Sequence, residues 1–197
     1  MFADIQQEQV AGVAAQLAAD GLARFDQITN RAQLVRLGAA LGRIVPHRDS
    51  GPDGVTTVMH RGGRAVYADL LHIDPCAAQA LSKPRTVLFG GAAGYLGSIF
   101  EHTPGGRVRV RYRQDQLAQF SPELARHLPS LGDAIERHTM WFALEPGEGY
   151  VLHNHRWLHG RTAYTGDRVM YRLSVDPHPY LAIPSGFVSP DVVAVGP

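Results

Sequence analysis

Leu144 to Arg172 reads LEPGEGYVLHNHRWLHGRTAYTGDRVMYR, and how this stretch divides decides the fold. Pro146-Gly147 marks a turn between two extended runs. In the run that follows, Val151, His153, His155, Trp157 and His159 share one face, because successive strand residues point to opposite sides. A row of imidazoles on one strand face offers neutral nitrogen ligands to a single metal ion. Beyond a second turn, RVMYRLSVD (Arg168 to Asp176) reads as a returning strand on which Arg168 and Arg172 share a face. Histidine, turn and returning arginines set fixed positive charge beside a metal, which suits a carboxylate held in a guanidinium fork.

Working outward, Ile5, Val10, Val13, Leu17 and Leu22 give a helical stripe near the N-terminus. A second helix is expected from a cap at Thr29 or Asn30, with Leu34, Val35, Leu37 and Leu41 on its apolar side, ending at Gly42. Arg43 to Pro46 and Val55 to His60 read as strands joined through the turn His47 to Gly54, which together make a hairpin. Asp74 followed by Pro75 marks a helix start, since the carboxylate can accept from free amides and proline suits the first helical position. Arg85 to Gly91 is a strand entering a glycine-rich loop. Gly106 to Arg113 alternates arginine with Val108, Val110 and Tyr112, a strand with one wet face. Ser121 to Thr139 is an amphipathic helix capped by Ser121, with a break expected near Pro129. Cys76, Trp141 and Trp157 read as core residues. The expected fold is one domain over residues 1–197, mainly β with flanking helices: a distorted or shortened double-stranded β-helix, or jelly roll.

Composition narrows the partners. With 19 basic against 18 acidic side chains, no face is forced to be strongly basic, which argues against nucleic acid or an anionic membrane. No apolar stretch approaches the roughly 20 residues a bilayer span needs. Cys76 is the sole cysteine, so neither an internal disulfide nor a cysteine zinc cluster is available, and a cytoplasmic setting is expected. The partner implied is a small-molecule substrate.

The quoted stretch strongly resembles the terminal segment of taurine-dioxygenase-like and clavaminate-synthase-like oxygenases. Pro146-Gly147 matches that family's turn, Asn154 its asparagine, and His159, in His-Gly-Arg, its distal iron ligand. Arg168 and Arg172 match the R-x-M-x-R pair around 2-oxoglutarate, with Arg172 on the remote carboxylate. The resemblance implies Fe(II) and 2-oxoglutarate as cofactors and oxidation of a small metabolite. Two departures stand out. His153 occupies the family's aspartate position, and Val58 to Arg61 runs directly into Gly62-Gly63, where the family carries a segment with a His-x-Asp/Glu pair. Lack of that segment would uncover apolar strand surface, so a homo-oligomer packed near Val55 to Tyr67 is expected.

Two triplets can stand in for that pair. His47-Arg48-Asp49 lies where a strand enters a turn, the local geometry a facial pair needs, so His47 and Asp49 are the candidate metal ligands beside His159. His72-Ile73-Asp74 has the same letters, but Asp74 is better explained as a helix cap. A third alternative is that neither replaces the pair. Two further functions stay open: a non-redox enzyme with histidine acid–base chemistry, and a catalytically silent scaffold or partner subunit.

Overall fold

The computed structural model describes residues 7–25, 45–48, 56–144, 148–161, 169–172, 174, 176 and 183–190; at 7–10, 45–48, 56–61, 92, 161 and 169–172 it describes the backbone alone. In chain order the first elements are α1 (Gln7–Asp20), β1 (Leu22–Phe25), β2 (Val45–Arg48), β3 (Thr56–Gly62), α2 (Gly63–Ile73) and α3 (Pro75–Ser82). Next come β4 (Val87–Phe89), β5 (Tyr95–Gly97), β6 (Phe100–His102), β7 (Arg107–Val110) and β8 (Ala118–Phe120). The last are α4 (Pro122–Ala125), α5 (Leu128–Arg137), β9 (Thr139–Leu144), β10 (Gly149–Leu152), β11 (Trp157–Arg161), β12 (Val169–Arg172) and β13 (Phe187–Val188). Strands and helices are thus mixed along the chain. They fall into two compact units: residues 1–59, 141–152 and 160–183, and residues 60–140, 153–159 and 184–197.

In the first unit, α1 ends at Asp20. Gly21 follows in the left-handed region (φ 74°), its N–H donating to Leu17 O at 2.9 Å. Leu22 therefore does not extend the helical stripe; it opens β1, which pairs antiparallel with β10 from Leu22↔Leu152 to Phe25↔Gly149. Arg24 lies 4.8 Å over the Phe142 ring and 3.7 Å from Glu148. β2 pairs with β12, not with β3, so the expected hairpin does not form. Turn residues between two extended runs show that the chain bends, but not which strand each run pairs with. The helix expected between Thr29 or Asn30 and Gly42 lies outside the described residues.

The second unit holds two antiparallel sheets, ordered β13-β7-β6 and β5-β4-β8. β6 and β7 pair through Phe100↔Val110 and His102↔Val108, and Phe100, Val108 and Val110 are fully buried. Over them pack Val66, Tyr67 and Leu70 of α2, Ala77, Ala78 and Leu81 of α3, and Leu131 and Ala134 of α5. Each large side chain removed from water contributes about 1.5–3 kcal/mol. The sequence reading assigns no element to the stretch that forms α2. Its glycine is required by packing: a Cβ at Gly63 would meet Val110 Cγ1 at 2.6 Å and Arg156 O at 2.9 Å.

Both expected caps form. Asp74 Oδ1 accepts from Ala77 N–H at 2.9 Å, with Pro75 opening α3, and Ser121 Oγ accepts from Leu124 N–H at 3.2 Å. The amphipathic stretch breaks after Ala125 and restarts as α5 with Pro129 in its first turn, where a missing N–H costs nothing. Two expected core residues are on the surface instead: Cys76 is exposed, and Trp141 is 55% exposed. No helix among the described residues is long and apolar enough to cross a membrane.

Candidate functional site

β-branched and aromatic residues favour extension at Val45, Val169 and Tyr171, and Pro46 is tolerated because a two-stranded ribbon has only edge strands. The register pairs Met170 with His47 and Arg172 with Val45. Cross-strand partners share a face, as do residues two apart, so positions His47 and Arg172 are diagonal neighbours on one face of the ribbon. Two of the candidate positions, one for metal and one for cosubstrate, are thereby brought together in the first unit. Asp49 and Arg168 lie outside the described residues. His159 belongs to the second unit, on β11, and its side chain is exposed.

The expected continuous strand from Val151 to His159 is interrupted. β10 stops at Leu152, and the chain turns with Arg156 N–H donating to His153 O at 2.8 Å and Trp157 N–H to the same oxygen at 3.1 Å. His155 N–H donates to His153 Nδ1 at 3.2 Å, which leaves the ring proton of neutral His153 on Nε2. The row of imidazoles on one strand face therefore does not exist. His153 and His155 meet edge to face in the turn with centroids 5.9 Å apart, and His159 lies beyond them. Burial, reinforced by His155 and Arg156, pushes the His153 pKa down. Burial, then Arg111 and Arg109, does the same to His155, with Glu101 pulling the other way.

The alternative triplet His72-Ile73-Asp74 is committed elsewhere. Beyond its cap bond, the Asp74 carboxylate accepts from Ser130 Oγ–H at 2.7 Å, and these two bonds, the Ala77 amide first, hold its pKa below the usual carboxylate value. His72 is exposed at the end of α2. Among the described residues, no three His, Cys, Asp or Glu side chains gather as a metal-ligand set.

The sequence reading missed two arrangements. Tyr67 Oη lies 2.9 Å from His102 Nε2, beside an open groove of about 550 Å³ that includes Leu71, Pro75 and Pro84 in its walls. Thirty-five residues separate the pair, so no local pattern announces it. The arginines of β7 are not a merely solvated face. Arg107 donates to Ser185 O at 3.2 Å and Gly186 O at 2.6 Å, and Arg109 Nε donates to Ser185 Oγ at 3.0 Å.

Several solved structures resemble the chain. An OrfP non-heme iron oxygenase in complex with Fe and alpha-ketoglutaric acid aligns with TM-score 0.45 and 15% identity, over 64% of this chain and 42% of that one. Asparagine oxygenase in complex with Fe(II), 2S,3S-3-hydroxyasparagine and succinate aligns with TM-score 0.48 and 17% identity, over 62% and 39%. The chain thus spans about two-fifths of the length of these structures. No match is found among the curated proteins. The family model for taurine catabolism dioxygenase TauD, TfdA family, matches residues 63–174, more than half of the chain and inclusive of His159, Arg168 and Arg172. The chain belongs to the TauD/TfdA family of 2-oxoglutarate-dependent dioxygenases.

Proposed function

We propose that the protein is an Fe(II)/2-oxoglutarate-dependent oxygenase-like domain acting on a small metabolite, with its cosubstrate side the best preserved part. The observation that carries this is the family match across residues 63–174, together with the β2–β12 register that sets Arg172 beside position 47. A distorted double-stranded β-helix is the architecture this reading implies. Arg172 forks onto the remote carboxylate of 2-oxoglutarate, and Arg168 takes its metal-side end. The resemblance assigns iron to His159, and His47 and Asp49 are the stand-ins for the family's His-x-Asp/Glu pair; two imidazoles and a carboxylate would be the donor set for a non-heme iron that activates oxygen.

A second reading, a non-redox enzyme or silent scaffold, is favoured by one observation. β3 runs without interruption into α2 at Gly62-Gly63, where the resemblance places the segment bearing the family's His-x-Asp/Glu pair.

Calorimetry tests the cosubstrate assignment. Wild-type protein should bind 2-oxoglutarate, and Arg172→Ala should weaken binding by about 10–100-fold, the worth of a desolvated charge-assisted pair. Arg172→Lys should restore part of it, since an ammonium cannot fork. No binding to wild type, or equal binding by wild type and R172A, overturns the assignment. Succinate release from 2-oxoglutarate by iron-loaded protein then separates the oxygenase from the second reading.

A further inference from the structure

The guanidinium groups of Arg107 and Arg109 lie on the face of β7 opposite Val108 and Val110, and a third arginine, Arg111, follows directly after the strand's last residue. Two are engaged: Arg107 on the carbonyls of Ser185 and Gly186, and Arg109 on Ser185 Oγ with Glu101 3.8 Å away. Arg111 differs. It lies 4.7 Å over the Tyr95 ring and 5.7 Å over Phe89, and among the described residues its guanidinium has neither a carboxylate nor a hydrogen-bond acceptor. Phe89 and Tyr95 are themselves cross-strand partners with rings 5.6 Å apart, so the platform is built into the β4–β5 pairing. Stacking fixes the guanidinium plane while leaving its N–H edge available, which removes much of the entropy a flexible arginine loses on binding. Val110 N–H donates to His155 O at 3.0 Å, which brings the histidine turn against this end of β7. Arg109 and Arg111 both act on the His155 imidazole, and Glu101 is the one carboxylate that opposes them, so the locality carries surplus positive charge.

We propose that Arg111, stacked on Tyr95 and flanked by His155, is a binding site for a compact oxyanion, a carboxylate or phosphate group that accepts the guanidinium fork. The site lies within the second unit and does not depend on the 2-oxoglutarate assignment. Its use would be to dock a charged group of a small molecule. Fork recognition of a carboxylate or phosphate is what distinguishes arginine from lysine here.

The test is NMR titration of the full chain with benzoate and, separately, inorganic phosphate, following the His155 ring resonances. One or both anions should give a saturable shift in wild type. Arg111→Gln should weaken it about tenfold or more, with Arg111→Lys in between, and amide spectra should confirm that both variants fold. Benzoate alone, or phosphate alone, identifies the source of the oxyanion. Arg172→Ala should leave the response unchanged while losing 2-oxoglutarate, which keeps this site separate from that pocket. No saturable shift with either anion, or an equal response in wild type and the lysine variant, overturns the proposal.

Discussion

In the second unit, α2, α3 and α5 close over β6 and β7, and the buried apolar cluster draws on all five elements. In the first unit, β1 pairs with β10 and β2 with β12 as two-stranded ribbons, and the described side chains of α1 are mostly exposed. Positions His47 and Arg172 sit on one of those two-stranded ribbons. The packing that carries stability and the strands that carry the candidate cosubstrate site are thus different parts of the chain. Helices and sheets that bury one another tolerate little change, whereas a ribbon leaves its faces available for ligands.

The sharpest way to break this comparison is to cut into each unit in turn. Phe100→Ala, in the second unit, should cost about 3–5 kcal/mol in denaturant unfolding, because a fully buried aromatic leaves a cavity. Val151→Ala on β10, where the side chain is 37% exposed, should move stability by less than about 0.5 kcal/mol. Equal losses would mean that the two units are not packed as differently as described.

Added bulk should give the next largest effect. Gly63→Ala is expected to cost about 1–3 kcal/mol by overpacking against Val110 and the Arg156 carbonyl. Gly12→Ala on α1, with nothing within 4 Å, should instead stabilise by about 0.5–1 kcal/mol through helix propensity. Thermal melts that move in the same direction for both variants would contradict the contrast.

Ser121→Ala removes the Leu124 amide's cap acceptor and should cost about 1 kcal/mol; an unchanged denaturation midpoint would show that water replaces the hydroxyl without loss.

The smallest expected effect depends on pH. His153 and His155 have depressed pKa values in the fold, so the unfolded chain takes up protons first as pH falls below about 6.5. Their contribution to stability is therefore complete above about pH 6.5 and is lost as pH falls toward the depressed values. Both rings are half-buried, so solvent screens the effect. The double variant His153→Gln/His155→Gln should flatten stability against pH between about 5 and 7 relative to wild type. An unchanged slope there would assign the acid sensitivity to other groups.

Local chemistry was the legible part of this sequence. Asp74 before Pro75 and Ser121 before Pro122 announce their helices because a cap is made by residues three apart. The Val108/Val110 alternation likewise gives the buried face of β7. Failures came where long-range contacts decide. β2 chooses β12 as its partner, and Arg107 finds carbonyl groups seventy-eight and seventy-nine residues away. The histidine stretch failed for a subtler reason: alternation of polar and apolar residues is compatible with a strand, but a ring nitrogen of His153 accepts the His155 amide and turns the chain. Of the candidate site, the Arg172 motif was legible as a family pattern, whereas its pairing with β2 required the structure.

The short β13 has a consequence for synthesis. Phe187 is 2% exposed and lies against Tyr67 and the Gly63 backbone, while Gly186 (φ 80°) crosses Val108 so closely that a Cβ would come within 2.4 Å of its carbonyl oxygen. The core begun near residue 63 therefore cannot close until residue 187 has left the ribosome. Until then the growing chain carries an unfilled apolar slot beside Tyr67, so stalled translation or truncation before residue 186 would leave β7 with an unpaired edge. The second unit, gathered from residues 60–140, 153–159 and 184–197, cannot be separated by any single cut from the first-unit segments 141–152 and 160–183 threaded between them.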